Sequence, residues 1–109
     1  MIVTIPVHTV SEANIKEHWV LKSRRAKTQR NIAYLLTRNA GFTGFPNTIT
    51  LTRCASRRLD TDNLARSMKA IRDGIADALG VNDGDMRIDW RYGHEKAKRN
   101  NSSVKVEIS

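Results

Sequence analysis

Carboxylates are concentrated in one short part of this otherwise basic chain. Residues 57 to 85, RRLDTDNLARSMKAIRDGIADALGVNDGD, contain six aspartates, and one residue separates Asp60 from Asp62. Two carboxylates held close together repel each other unless a proton or a cation lies between them. Hard oxygen ligands of this kind favour Mg²⁺ or Mn²⁺. The spacing of the pair therefore suggests a divalent-cation site.

Helix capping is the alternative reading of the same pair. An Asp directly before a helix is a favoured N-cap, contributing about 1 kcal/mol, and this would explain Asp62. Capping would not explain Asp60. In an extended chain, residues two apart point to the same side, so the Asp60 carboxylate would lie beside that of Asp62. We therefore favour metal binding. The second acidic segment, from Asn82 to Asp85, is also typical of a tight turn, and it lacks the ligand spacing of an EF-hand.

The charge of the chain is unevenly distributed. Nineteen Lys and Arg against eleven Asp and Glu give a net charge of +8, and the sequence pI is about 10.3. Residues 60 to 89 contain seven aspartates and four basic residues, a net of −3, so the rest of the chain has +11. A charge run can simply be a solvated face. The more specific interpretation is an acidic site within a body that attracts nucleic acid or another polyanion.

Length and composition predict one soluble domain. The chain has 109 residues, and no apolar run approaches the roughly 20 residues that a membrane helix needs. The first residues, MIVTIPVHTVSE, lack the features of a signal peptide, and the single Cys54 cannot form an internal disulfide. We expect a cytoplasmic protein without membrane contact.

Hydrophobic periodicity predicts an α+β fold for residues 1–109, with a mixed four-stranded sheet and two main helices in the order β-α-β-α-β-β. Pro6 suggests that the first strand is an edge strand. The last two strands are expected to form an antiparallel hairpin through the loop GHEKAKRNNS. The predicted strands are residues 2–8, 47–54, 86–92 and 103–109, and the predicted helices are residues 15–38 and 63–79.

The second predicted helix has two opposite faces. At 100° per residue its apolar residues form a core face, and a polar stripe runs along the other side. Gly80 follows the last apolar residue and is expected to cap the helix. The core face contains Leu64, Met68, Ile71, Ile75, Ala78 and Leu79, and the polar stripe contains Asp62, Arg66, Lys69 and Asp73.

The order of these features resembles the RusA family of Holliday junction resolvases, found in bacteria and their phages. The resemblance covers about residues 47 to 109: a basic stretch, D-x-D-N opening a helix, a basic residue four positions after the second Asp, an acidic turn and a strand. It implies that Asp60, Asp62 and Asp83 are catalytic carboxylates that bind Mg²⁺, with Mn²⁺ as a possible substitute. Asp85 is a possible extra ligand.

The family's helix lysine corresponds to Arg66 here. Arginine keeps the charge but cannot release a proton, so Lys69, further along the polar stripe, is an alternative for the basic role. The resemblance implies a homodimer that nicks two strands of a four-way junction symmetrically in recombination and repair, leaving 5′-phosphate and 3′-hydroxyl ends. It also implies a location near the nucleoid or in a phage-infected bacterial cell.

Exposed basic residues are expected to engage DNA phosphates. A small DNA- or RNA-binding protein without catalysis remains the alternative function. His8, His18 and His94 lack ligand spacing and are expected to be structural or exposed. Trp19, Trp90 and Tyr92 are expected to lie in the core or on a sheet face. The predicted DNA-binding residues are Arg57, Arg58, Lys96, Lys98 and Arg99.

A shared active site is a further expectation. Paired nicks are most simply made by a two-fold dimer. A continuous helix from Asn63 to Leu79 would carry the chain about 25 Å from Asp62. Asp83 could share a metal with Asp60 and Asp62 in one of two ways. Either the helix ends early, near Gly74, and the chain folds back, or a partner's antiparallel helix supplies its own Asp83. The apolar face continues past Gly74, which favours the second arrangement.

Overall fold

Four strands and three helices make up the computed structural model, which describes residues 1–10 and 18–109. The α+β class and the four-stranded mixed sheet are as predicted, although the second helix is divided in two. The elements are β1 (Ile2–Ile5), α1 (Trp19–Ala40), β2 (Thr48–Ala55), α2 (Thr61–Ser67), α3 (Lys69–Leu79), β3 (Asp89–Lys96) and β4 (Ser103–Ile108).

The sheet has the strand order β1-β4-β2-β3. β1 pairs with β4 at one edge, as Pro6 suggested, and β4 runs antiparallel to β2. β3 runs parallel to β2, with Ile49 opposite Trp90. The predicted hairpin between the last two strands is therefore wrong, because β3 and β4 lie on opposite sides of β2. A parallel pair needs a crossover connection, which α2 and α3 supply.

Alternation along β2 decides which face of the sheet is covered. Ile49, Leu51, Arg53 and Ala55 are buried, whereas the threonines between them are partly exposed. The buried face packs against residues of α1 and α3 such as Ala33 and Ile71. Burial of one face and partial exposure of the other is the usual pattern of an antiparallel or mixed sheet covered on one side. One core therefore lies between the sheet and the helices.

α1 begins at Trp19, after the N-cap His18, and ends at Ala40, where Gly41 adopts a left-handed φ of 73°. The predicted start of this helix at Ile15 lies outside the described residues. The Gly41 N–H donates to the carbonyl of Arg38. The predicted end at Arg38 is thus two residues short of the observed one, within the usual fraying of helix ends.

The single helix predicted for residues 63–79 is interrupted at Met68, whose φ and ψ are −99° and 0°. Ser67 Oγ donates to the Leu64 carbonyl at 2.7 Å, a local bond that competes with helix geometry and bends helices. The predicted core face is nevertheless confirmed, because Met68, Ile71 and Ile75 are fully buried. Gly80 ends α3 with a φ of 68°, also as predicted.

α1 and α3 cross closely at Gly74. A Cβ atom there would lie 2.9 Å from Ala33 Cβ and closer still to the backbone carbonyl of Arg30. Gly74 is therefore a contact residue in the middle of α3, and the expectation that the helix might end near it is wrong. No helix among the described residues is both long and apolar enough to cross a membrane.

Candidate functional site

Asp60 is the N-cap of α2. Its Oδ1 accepts the backbone N–H of Asn63 at 2.9 Å, and its Oδ2 accepts the Asn63 side-chain amide at 3.1 Å. The Asp60 carbonyl also accepts the first helical bond, from Leu64 N. Capping therefore belongs to Asp60, and the expectation that Asp62 is the cap is wrong.

Asp62 lies in the first turn of α2 and is exposed. The chain becomes helical at Thr61, so the strand-like spacing assumed for the pair does not apply. Among residues 1–10 and 18–109, no side chain forms a hydrogen bond or an ion pair with Asp62. A carboxylate near a helix N-terminus is favoured by the helix dipole. Asp62 is thus an exposed side chain open to solvent or to a ligand.

Asp83 returns to the start of α3 within the same chain. After Gly80 the chain reverses direction, and Val81 N donates to the Ala76 carbonyl at 3.0 Å. The Asp83 carboxylate then lies 3.3 Å from Lys69 Nζ and 3.3 Å from Arg72 Nε. The break at Met68 and this reversal bring Asp83 back to the start of α3, but not to Asp60 and Asp62 at the other end of α2, so the expectation of a partner's Asp83 stays a prediction.

Arg72 holds the acidic turn and was not singled out from the sequence. Its Nη2 donates to the Asp83 carbonyl at 2.6 Å and its Nη1 to the Tyr92 hydroxyl at 2.9 Å. The guanidinium also stacks 4.5 Å from the centre of the Trp90 ring. The signal was its position at the border of the apolar face of the helix, where a long cationic side chain can reach over a neighbouring strand.

Lys69 and Arg66, the two candidates for the basic role, differ in their contacts. Lys69 Nζ lies 2.7 Å from Asp73 Oδ1 and 3.3 Å from Asp83 Oδ2. The hydrogen bond to Asp73 raises the pKa of Lys69 most, and the charge of Asp83 adds to the effect, against the opposing influence of burial. Lys69 is therefore a fixed cation rather than a proton acceptor. Arg66 is exposed and has no partner among the described residues.

These residues line a groove between the first half of α1 and the α2–α3 pair, hereafter the helical groove, with a volume of about 1090 Å³. Its cations outnumber its carboxylates, so it attracts phosphates. Its charged lining residues are Lys22, Lys27 and Arg30 from α1, Arg66, Lys69, Arg72 and Asp73 from the α2–α3 pair, and Asp83 from the acidic turn.

The predicted metal ligands Asp60, Asp62, Asp83 and Asp85 are not gathered into one cluster. Among the residues that the structure describes, no three His, Cys, Asp or Glu side chains lie close enough to hold a metal ion together. Asp83 is held towards α3 by Lys69 and Arg72, whereas Asp60 and Asp62 lie at the far end of α2. Asp85 binds Arg87 at 2.8 Å, which lowers its pKa to about 2.

The predicted DNA-binding residues are exposed, and two of them, Arg57 and Arg99, line a second pocket near β2. Arg58 lies close enough to His94 for its charge to contribute to a lowered His94 pKa, of which burial is the main cause and Arg53 the next. His18 accepts the Val20 N–H at the start of α1 and is structural, as expected. Trp90 and Tyr92 pack against the core, also as expected. The same expectation for Trp19 is wrong, because this residue begins α1 and is 71% exposed.

Comparison with known proteins identifies one relative without a known role. No protein-family model matches the chain. It is 35% identical over 81 residues to an uncharacterized protein of Xylella fastidiosa (strain Temecula1), which corresponds to 64% of this chain and 51% of that protein. The chain thus spans about half the length of the relative it matches. The resemblance to RusA resolvases stays a prediction.

Proposed function

We propose that this protein is a Mg²⁺-dependent, structure-selective endodeoxyribonuclease of the RusA type that resolves four-way DNA junctions by paired symmetric nicks. Its setting would be the bacterial cytoplasm, at the nucleoid or during phage infection, in recombination and repair. The main support is the return of Asp83 to Lys69, which lines the helical groove together with Arg66. Carboxylates and phosphate-attracting cations thereby lie along one surface of the α2–α3 pair.

The residues would have distinct roles in phosphodiester hydrolysis. Asp60, Asp62 and Asp83 offer carboxylate oxygens, the donor type that Mg²⁺ prefers, and Mn²⁺ could substitute. The metal would supply an activated water and neutralise charge on the phosphate. Arg66 and the fixed cation Lys69 would bind the phosphate oxygens, and Arg72 would position Asp83.

Paired cuts imply two copies of the site. We expect a homodimer. The partner's Asp83 would join Asp60 and Asp62 in a shared site, because Asp83 of the same chain is held at Lys69 and Arg72. Light scattering on purified protein should give twice the monomer mass of 12.3 kDa. A monomer that still cuts both strands of a junction in one encounter would contradict this.

The deciding experiment is a cleavage assay on a labelled four-way junction, with matched duplex and single strand as controls. The proposal predicts symmetric nicks in the junction with Mg²⁺ or Mn²⁺, little cutting of the controls, and none with EDTA. Ligation of the nicked products would confirm 5′-phosphate and 3′-hydroxyl ends. Absence of metal-dependent cutting of any substrate would contradict the nuclease.

A basic nucleic-acid-binding protein without catalysis is the second candidate. It is favoured by the capping role of Asp60, by the ion pairs of Asp83, and by the lack of a three-ligand group among residues 1–10 and 18–109. This protein would bind the junction in the same assay but leave it uncut with every metal.

A further inference from the structure

A second pocket lies where β2 ends, between the segment that follows β1 and the loop that precedes β4. Its volume is about 680 Å³, and among the described residues its lining contains three arginines and one histidine but no Asp or Glu. We call it the basic pocket. It is lined by Pro6, His8, Val10, Arg53, Ser56, Arg57, Leu59, Arg99, Asn100 and Ser102. We propose that the basic pocket binds a phosphate group.

Arg53 is the central observation because it is a buried cation without a buried anion. Arg53 is only 4% exposed to solvent. Nε donates to Thr9 Oγ1 at 2.9 Å, Nη2 to the Thr9 carbonyl at 3.0 Å, and Nη1 to the Arg57 carbonyl. All three acceptors are neutral, and no carboxylate pairs with Arg53 in the part of the chain that the structure describes.

Burying an unpaired charge is costly, and the cost falls when an anion approaches. The same burial lowers the pKa of Arg53. Three neutral acceptors fix the orientation of the guanidinium and leave two of its five N–H groups for a ligand. A planar guanidinium held in this way suits the bidentate recognition of phosphate oxygens.

The rim of the pocket adds exposed cations and neutral polar groups. Arg57 and Arg99 are exposed and form no ion pair with any described residue. His8 Nδ1 and Ser102 Oγ are hydrogen bonded at 2.8 Å. Asn100 has a left-handed φ of 74°, a conformation that asparagine tolerates, within a turn closed by Asn101 N and the Lys98 carbonyl. This turn contains Arg99.

The position of the pocket connects it to the candidate site. Leu59 lines the pocket and is followed directly by Asp60. A phosphate bound there would lie on the chain's approach to the Asp60–Asp62 pair. Under the proposed function, the ligand is a backbone phosphate of the bound DNA. Only this identification of the ligand rests on the proposed function. Phosphate binding itself follows from the pocket alone.

The first test uses inorganic phosphate and no nucleic acid. Arg57→Gln with Arg99→Gln removes two rim cations, and the control Arg24→Gln with Arg91→Gln removes two exposed arginines outside both the basic pocket and the helical groove. We expect phosphate to shift the Arg53 Nε–H resonance saturably in the wild type and the control. The pocket variant should bind roughly tenfold more weakly, as expected for lost charged hydrogen bonds.

Sodium chloride at matched ionic strength provides the non-specific reference. Arg53→Lys, which keeps the charge but loses the planar fork, should also weaken phosphate binding. If it fails to fold, the rim variant still decides the question. Equal responses of wild type, control and pocket variant, or a shift that chloride reproduces, would overturn the pocket.

The second test identifies the source of the phosphate with duplexes that do or do not have 5′-phosphates. A backbone source predicts that the pocket variant loses affinity for both, with the slope of log K against log salt reduced by about 0.9 per lost contact. A terminal source predicts loss for the phosphorylated duplex alone. Phosphate binding without junction cleavage would leave the pocket standing and remove the nuclease. Junction cleavage with equal DNA affinity of pocket variant and control would keep the nuclease and exclude the DNA backbone as the source of the phosphate.

Discussion

The helical groove and the basic pocket both contain several cations, but among the described residues only the groove also contains carboxylates, which pair with two of its cations. Lys69 contacts Asp73 and Asp83, and Arg72 contacts Asp83. Within residues 1–10 and 18–109, the lining of the basic pocket has no acidic residue, and its buried Arg53 binds only neutral oxygens. The two regions therefore use similar side chains under opposite electrostatic conditions.

This difference shows what each set of cations can do. In the groove, Lys69 and Arg72 are engaged by carboxylates, so their main effect is to fix where Asp83 lies. In the basic pocket the cations have no internal counter-charge, so an external anion gains more by binding there. The groove is thus organised to place acidic groups, and the pocket to receive a phosphate.

The largest expected effect is the loss of junction cleavage when an aspartate of the candidate site is replaced. Asp60→Asn, Asp62→Asn and Asp83→Asn should each reduce junction cleavage by at least about 100-fold, the usual scale for losing a group that stabilises transition-state charge. Junction binding should stay the same or tighten, because a carboxylate that repels phosphates is lost. Asparagine is an equally good N-cap, so Asp60→Asn should fold normally.

Asp77→Asn is the matched control, since Asp77 lies on α3 outside the lining of the helical groove and pairs with Arg30 at 2.7 Å. It should retain cleavage. Cleavage rates, junction affinity and thermal stability should be measured on all four variants. Parallel loss of binding and stability in the first three would support a purely structural role for the aspartates.

An intermediate effect is expected from the contacts that hold the acidic turn. Arg72→Met removes the bonds to Tyr92 and to Asp83 and should lower the free energy of unfolding by about 2 to 3 kcal/mol. Tyr92→Phe should cost about 1 kcal/mol. Both can be measured by urea denaturation, and both should displace Asp83 from the groove.

The chain contains an exposed counterpart of this pair. Arg38 Nη1 donates to Tyr34 Oη at 2.7 Å, and both residues lie on α1. Arg38→Met and Tyr34→Phe should each change stability by less than about 0.5 kcal/mol, because the contact is open to solvent. If substitutions in the Arg72–Tyr92 and Arg38–Tyr34 pairs lowered the free energy of unfolding equally, Arg72 would not organise the acidic turn.

The sequence predicts the features of this fold that depend on local periodicity. Alternating apolar residues locate β1, β2 and β4, and the spacing of Met68, Ile71 and Ile75 identifies the buried face of the second helical region. Gly80 is recognised as a cap because glycine adopts the left-handed conformation at low cost. These signals act within a few residues and need no knowledge of the tertiary structure.

The features that decide the candidate site depend on distant contacts. The parallel pairing of β2 with β3 depends on the crossover, and the return of Asp83 depends on Arg72 reaching Tyr92. The burial of Arg53 follows from its position on the inward face at the end of β2, where Thr9 supplies acceptors. A charged residue in a strand gives no local sign of such partners.

The smallest expected effect concerns His94, which lies opposite Arg53 in the β2–β3 register. Burial lowers its pKa below the usual value of 6.5, and the charges of Arg53 and Arg58 lower it further. The unfolded chain then binds more protons than the folded one below about pH 6.5. The contribution of neutral His94 to the free energy of unfolding is complete above pH 6.5. It is lost as the pH falls through the pKa of His94 in the folded protein. His94→Gln should weaken the dependence of the free energy of unfolding on pH, which urea titrations at several pH values measure.

Phosphate in the basic pocket should partly reverse the effect of the arginines on His94. An anion beside Arg53 offsets its positive charge, so the pKa of His94 should rise towards its usual value, while the part caused by burial stays. The ring-proton shifts of His94, followed by NMR against pH in phosphate and in chloride of equal ionic strength, measure this directly. The Arg57→Gln, Arg99→Gln protein should show a smaller rise, because it binds phosphate less. An identical rise in both proteins would mean that phosphate acts as general screening, and the contrast between the compensated groove and the uncompensated pocket would then fail.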